Sequence, residues 1–240
     1  MTQTPDQLEL PIAETFTSIQ GEGKLTGMPS HFIRVSGCNL RCGWCDTPYA
    51  SWNPETPRQS LGALVAGAKA SGTRHVVLTG GEPMMFAQIE PLSRALREHG
   101  FHITIETAGT IDRPVACDLL SLSPKLANST PHNDPRDPKG EWAARHEQRR
   151  LNIPVLQSLL DTHRDRQLKF VVSGAGDLPE IETLVASLQG VAPSDILLMP
   201  EGVTSPSPEK IAWVVDTCIA RGWRLCRRVH LDLFGNKRGT

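Results

Sequence analysis

"HFIRVSGCNLRCGWCDTPYASW", residues 31–52, couples a short apolar run to a loop with three cysteines in eight positions. The run HFIRV, 31–35, is rich in the β-branched and aromatic residues that favour a strand. Gly37, Asn39, Gly43 and Asp46 are turn formers, so Cys38, Cys42 and Cys45 fall in a loop at that strand's carboxyl end. The placement matters because in parallel α/β folds chemistry gathers at the carboxyl ends of the strands.

Outward from this point the pattern repeats. HVVLTG (75–80), FHITIET (101–107), LLSLS (119–123), QLKFVVSG (167–174), DILLMP (195–200) and WRLCRRV (223–229) read as further strands, nearly continuous in hydrophobicity as strands buried on both faces are. Between them, SLGALVAGAKASG, IEPLSRALREHG, LPEIETLVASLQG and SPEKIAWVVDTCIARG carry apolar residues at helical spacing and stop at Gly72, Gly100, Gly190 and Gly222. Strand alternating with helix predicts a parallel α/β architecture. With about six parallel strands rather than eight, the expectation is an incomplete TIM-like barrel, although an open doubly wound sheet has the same signature. The strand ends bring Thr79–Pro83, Glu106–Gly109, Ser123–Lys125, Ser173–Gly174 and Pro200–Gly202 to one mouth. The stretch 128–150 is polar and proline-containing, and reads as an exposed insertion or mobile loop that turns helical from about Glu141.

The 240 residues suffice for a single domain with a large core. The 25 basic and 26 acidic side chains leave a net charge of -1, which gives no electrostatic case for a nucleic acid or a membrane surface as partner; a small molecule is the default. The opening MTQTPDQLELPIAETF lacks a basic segment followed by an apolar run, and no stretch reaches the roughly twenty apolar residues of a membrane span, so the chain reads as cytoplasmic. Cys117, Cys218 and Cys226 stand singly in apolar surroundings as small core residues, and the six cysteines together do not look like a secreted disulfide framework.

The spacing Cys-x3-Cys-x2-Cys offers three thiolates and no fourth. A structural zinc site closes its shell with four ligands, and here the fourth would come from a distant residue such as His31 or His75. A four-iron, four-sulfur cluster on three thiolates leaves one iron open to an exogenous ligand, which turns the missing cysteine into a functional feature. Core cysteines clustered by chance fit poorly with a loop so rich in turn formers.

That spacing, with Trp44 before the last cysteine, resembles the signature of radical S-adenosylmethionine (SAM) enzymes. The resemblance implies that the amino and carboxylate groups of SAM chelate the open iron, and that one electron cleaves a carbon–sulfur bond to give a 5′-deoxyadenosyl radical. TGGEP, Thr79–Pro83, resembles the family's glycine-rich motif, which follows the second barrel strand and accepts the cofactor's ammonium through backbone groups. Two further stretches, FTSIQGEG (16–23) and the terminal FGNKRGT (234–240), narrow the match. With Arg34, CxxxCxxCDT, GGEP, ETAGT and SPK in order between them, they resemble the 7-carboxy-7-deazaguanine synthases over nearly the whole length. This implies rearrangement of 6-carboxy-5,6,7,8-tetrahydropterin to 7-carboxy-7-deazaguanine with release of ammonia, in queuosine and deazapurine biosynthesis. It also implies Mg2+, regeneration of SAM, an electron donor such as flavodoxin, and a homodimer.

The resemblance makes 12–36 a substrate-binding segment, 37–52 the cluster loop and 226–240 a closing segment. Gln20 and Glu22 on either side of Gly21 supply donors and acceptors for a pterin edge. Arg34, inside an apolar strand, needs a partner, either the substrate carboxylate or a structural bridge to Glu14 or Asp46. His230 and Arg228 resemble a second pterin or carboxylate contact, and the chain end at Thr240 approaches the substrate. Thr47 resembles the magnesium position, though by itself it reads as a cap or turn residue. Asp46, Thr79, Gly80, Gly81, Glu82, Thr107, Ser123, Lys125 and Ser173 resemble SAM contacts, Ser123 and Lys125 toward the methionine carboxylate. Radical chemistry further requires the pterin C6 held against the ribose and water excluded. GNKRGT would close the mouth, while Lys237 and Arg238 equally read as a solvated basic end. Two other functions compete: an activase that places a glycyl radical on a partner protein, and a zinc-stabilised binding protein.

Overall fold

The structure, a computed structural model, describes residues 7–240. Residues 1–6, part of the stretch read for a targeting signal, lie outside the described residues. In chain order the elements are β1 (Glu9–Ile19), β2 (Pro29–Val35), β3 (Arg58–Ser60), α1 (Leu61–Ala70), β4 (His75–Gly80), α2 (Ile89–Glu98), β5 (His102–Thr107) and β6 (Leu119–Leu122). There follow α3 (Glu141–Arg149), α4 (Ile153–Thr162), β7 (Arg166–Val172), α5 (Leu178–Ala186), β8 (Ile196–Pro200), α6 (Pro208–Arg221), β9 (Arg224–Leu225) and α7 (Val229–Phe234).

All nine strands join one sheet in the order β3-β1-β2-β4-β5-β6-β7-β8-β9. From β2 to β9 every pairing is parallel. The sheet ends at β3 and β9 without closing, so the parallel α/β expectation holds in its incomplete form. The apolar content of the central strands is explained by burial on both faces: Leu78, Ile105, Leu120, Leu122, Phe170 and Leu198 are fully covered and join one core with Leu64, Leu92, Leu96, Leu156 and Val214 from the helices. Each such side chain contributes about 1.5–3 kcal/mol relative to exposure. Helix starts are set by side-chain caps, Ser60 accepting from the Ala63 amide, Asn152 from Val155 and Ser207 from Lys210.

Three readings of the sequence need correction. β1 was not legible as a strand: it runs antiparallel to β2 and β3, buries Leu10 and Ile12 while exposing Glu9, Thr15 and Thr17, and carries a proline at Pro11 and a register shift near Glu14. The run WRLCRRV stays in the sheet for only two residues, because the Val229 amide donates to the Gly21 carbonyl (2.9 Å) and diverts the chain across the mouth into α7. The stretch 128–150 is helical from Glu141 as expected, but it is no loose insertion: Ser129, Thr130, Asp137 and His146 are buried. Among the described residues, no helix is long and apolar enough to cross a membrane.

Candidate active site

At the carboxyl ends of the parallel strands lies a cavity of about 540 Å³. One wall is the cluster loop. Cys38, Cys42 and Cys45 all line it as free thiols. Behind the loop, the Gly43 amide donates to Ser129 O (2.8 Å), Trp44 Nε1 to Asn128 O (3.1 Å), and the Arg136 guanidinium to Gly43 O (2.8 Å) while stacking 4.1 Å from the Trp52 ring centre. The 128–150 segment is thus the backing plate of the cysteine loop.

The loop's entry and exit are sewn to β4. Gly37 N–H donates to Ala50 O (2.8 Å), Gly81 N–H to Val35 O (3.2 Å) and Glu82 N–H to Gly37 O (2.9 Å). A Cβ on Gly81 would stand 2.0 Å from Gly37 O, so glycine is required there by close backbone approach. Glu82 does not reach the cavity. It is fully buried and accepts from the Met84 amide (2.9 Å), Thr107 Oγ1 (2.7 Å) and the Ala108 amide (2.8 Å), fastening the end of β4 to the end of β5. Burial raises its carboxyl above the ordinary range despite those three donors.

The facing wall is built from charges. Gln20 is buried, donates to Glu106 Oε1 (3.2 Å) and accepts from the Glu22 amide (3.2 Å); Thr79 donates to Glu106 Oε2 (2.8 Å). Glu22 forms an ion pair with buried Lys169, and Arg228 Nε lies 3.5 Å from its other oxygen. Burial opposes the Glu22 charge, but Lys169, Arg228 and His230 outweigh it and hold the carboxyl at about 2. The same pairing drives the Lys169 ammonium above its ordinary range against its own desolvation. The His230 side chain lies against Gly21, where an added Cβ would stand 2.0 Å from Nδ1.

At the rim, Arg34 Nε and the Tyr49 hydroxyl both donate to Glu14 Oε1 (2.7 Å each). Of the two partners weighed for Arg34 within the protein, Glu14 is the one it meets. The tail crosses here, with Arg238 bidentate to Glu55 (2.8 and 2.6 Å), donating to Ala13 O (2.6 Å) and Glu14 Oε2 (3.3 Å), and stacked 4.2 Å from the Tyr49 ring centre. Arg238 is therefore paired on several sides, although its side chain stays exposed. Thr240 lines the cavity beside Lys237. Lys125 Nζ donates to Ser123 O (2.7 Å) and Oγ (2.9 Å), which holds its ammonium at the cavity wall.

Gln20, Gly21, Glu22, Arg34, Asp46, Thr47, Thr79, Gly80, Gly81, Thr107, Ser123, Lys125, Arg228, His230 and Thr240 join the three cysteines around this one space. Glu82 and Ser173 do not; Ser173 is exposed and its amide donates to Asp177 (2.7 Å). Lys169 and Tyr49 line the cavity without having been picked out, beside Glu106, expected at the mouth, and Glu14, weighed as a partner of Arg34. The available signal was an isolated charge inside an apolar strand, Lys169 in QLKFVV. Of the isolated cysteines, Cys218 and Cys226 are buried as expected and Cys117 is half-buried.

Residues 32–129 match the Radical SAM superfamily. The fold and the cysteine wall thus define a radical SAM enzyme, a class that carries a four-iron, four-sulfur cluster and SAM. The 7-carboxy-7-deazaguanine synthase of Rhodopirellula baltica is 49% identical over 230 residues, 95% of this chain and 88% of that one. That of Halobacterium salinarum is 44% identical over 236 residues, 95% and 91% of the two chains. The crystal structure of QueE from Escherichia coli aligns with a TM-score of 0.69 at 29% identity, covering 91% of this chain and 93% of that one. The chain belongs to the 7-carboxy-7-deazaguanine synthase family. These relatives favour neither the glycyl-radical activase nor the zinc-stabilised binding protein.

The donor set fits the cluster. Three soft thiols share one wall, burial pushes the Cys38 thiol up to about 12 and raises Cys42 as well, and iron would take the place of those protons. Among the described residues no three His, Cys, Asp or Glu side chains converge on a single-ion site; a cluster does not require that, since each thiolate meets a different iron.

Proposed function

We propose that the chain converts 6-carboxy-5,6,7,8-tetrahydropterin to 7-carboxy-7-deazaguanine with release of ammonia. One observation carries this reading: a wall of three thiols faces a wall of buried ion pairs across one cavity that the chain's own tail straps over. When bound, the cluster and SAM supply a 5′-deoxyadenosyl radical. The protein's part is to bind, orient and exclude water.

In this reading Cys38, Cys42 and Cys45 hold the cluster, and Lys125, kept at the wall by Ser123, meets the SAM carboxylate, with Thr79, Gly80, Gly81, Asp46 and Thr107 around the rest of that molecule. Glu22, fixed by Lys169, and Gln20, fixed by Glu106, present ordered acceptors and donors to the pterin edge. Arg34 keeps its Nε on Glu14 and offers its remaining N–H groups to the substrate carboxylate, and Arg228 and His230 close the opposite side. Thr47 supplies oxygen for one Mg2+, whose other ligands are water and the substrate. Arg238 straps the tail so that Thr240 covers the substrate. A low-potential electron donor such as flavodoxin, a cytoplasmic setting and a homodimer complete the proposal.

The test is anaerobic turnover of the reconstituted protein with the carboxytetrahydropterin, SAM and a reductant. Formation of 7-carboxy-7-deazaguanine without net loss of SAM is expected. Reductive SAM cleavage with no deazaguanine product would reject the substrate assignment.

A further inference from the structure

Arg41, the residue between Leu40 and Cys42, is 8% exposed and absent from the cavity lining. Its guanidinium donates to Cys38 O (2.7 Å) and Leu40 O (2.8 Å) and stacks 4.1 Å from the Trp142 ring centre. Its amide donates to His146 Nδ1 (3.1 Å), and His146 Nε2 bonds Ser129 Oγ (2.8 Å), so the backing segment grips both ends of the residue. Among the described residues no carboxylate forms an ion pair with it; it is the chain neighbour of Cys42, and its guanidinium rests on the Cys38 carbonyl.

A buried guanidinium without a counter-charge is costly, so its setting calls for an anion nearby. Two other cations face the cysteines. Lys125 acts on Cys42 from within the cavity, where it is free to meet a ligand, and Arg136 is exposed and paired with Asp134 (2.6 Å). Arg41 has neither ligand nor carboxylate to serve. Two backbone carbonyls and an indole face hold it, and the anion it is placed to serve is the cluster that Cys38, Cys42 and Cys45 would carry. Three thiolates around a [4Fe–4S]2+ core make a group of net charge -1, which becomes -2 when the core takes up one electron. A fixed positive charge beside it stabilises the second state more than the first.

We propose that Arg41 is an electrostatic positioning residue for the cluster, a buried cation held by Trp142 and His146 that raises the reduction potential and eases the one-electron entry supplied by a low-potential donor. The inference rests on the cysteines holding a cluster, as read above, but not on the identity of the substrate.

The experiment is an EPR-monitored redox titration with dithionite of the anaerobically reconstituted full chain, comparing wild type, Arg41→Gln, Arg41→Lys and Trp142→Ala. Arg41→Gln, which keeps donors but drops the charge, is expected to move the midpoint to more negative potential. Arg41→Lys should stay near wild type, and Trp142→Ala should shift in the same direction as the glutamine variant by less. If Arg41→Gln fails to hold a cluster, the other two variants decide: Trp142→Ala unshifted, or Arg41→Lys displaced to more negative potential, overturns the proposal. A full cluster in Arg41→Gln with an unchanged midpoint also overturns it. Wild-type protein that takes up no iron would instead overturn the cluster reading itself.

Discussion

On the cluster-loop wall, polar groups are fixed by the backbone: the Gly37, Gly81 and Glu82 amides stitch one loop to one strand end, and Glu82 itself accepts from two amides and a hydroxyl. On the facing wall they are fixed by ionised side chains drawn from four distant segments, Glu22, Glu106, Lys169 and Arg228. The first wall is held by hydrogen bonds that do not depend on a balance of side-chain charges. The second is ordered only while its charges balance, so single substitutions there should disturb binding far more than their size implies.

The sharpest way to break this contrast is Lys169→Met. It leaves Glu22 buried with only Arg228 and His230 nearby, at a cost of about 3–5 kcal/mol, so kcat/KM for the pterin should fall about 10²–10⁴-fold while cluster absorbance is kept. The double variant Glu22→Gln with Lys169→Met should recover part of the loss, and additive effects in steady-state kinetics would show that the two are not a unit. Arg34→Ala comes next: losing a charge-assisted pair of about 1.5–3 kcal/mol should raise the apparent KM for the pterin about 10- to 100-fold, with SAM cleavage changed much less. Equal pterin affinity in both proteins would remove Arg34 from the substrate site.

His75, away from both walls, and His146, behind the cluster loop, are buried and held at about 4, His75 by desolvation and its neighbour His102, His146 chiefly by desolvation. The unfolded chain protonates first as pH falls, near the ordinary value of 6.5, so the stability these neutral rings allow is full above about 6.5 and is lost progressively toward pH 4. Urea unfolding at pH 7 and pH 5 should differ by on the order of 1–3 kcal/mol, and equal midpoints would contradict the shifts. Smallest is the strap. Arg238→Ala breaks ion pairs that are nearly half exposed, worth about 0.5–1 kcal/mol, and should raise KM only about two- to fivefold. An unchanged KM in Arg238→Ala would leave the tail without a closing role.

The same contrast explains what could be read in advance. The cluster-loop wall is local in sequence, so its demands appear as short motifs: three cysteines among turn formers, and glycines where Gly81 touches Gly37 and Ala50. The central strands were legible because burial on both faces forces continuous hydrophobicity. β1 was not, since only one of its faces is covered and Pro11 breaks the pattern. Lys169 was hidden inside an apolar run, and nothing local announces that its partner stands 147 positions away at Glu22. Arg238 looked like a solvated end because Glu55, Glu14 and Tyr49, which hold it, come from the opposite end of the chain.

The central claim is that Cys38, Cys42 and Cys45 together hold one redox cluster at the mouth of this sheet. Iron and sulfide determination on anaerobically reconstituted wild type beside Cys38→Ser, Cys42→Ser and Cys45→Ser tests it most directly. The account predicts about four iron and four sulfide per chain in the wild type, and loss of brown colour and of activity in all three variants. A full complement of iron retained by any one variant, or a colourless wild type holding zinc, would contradict it.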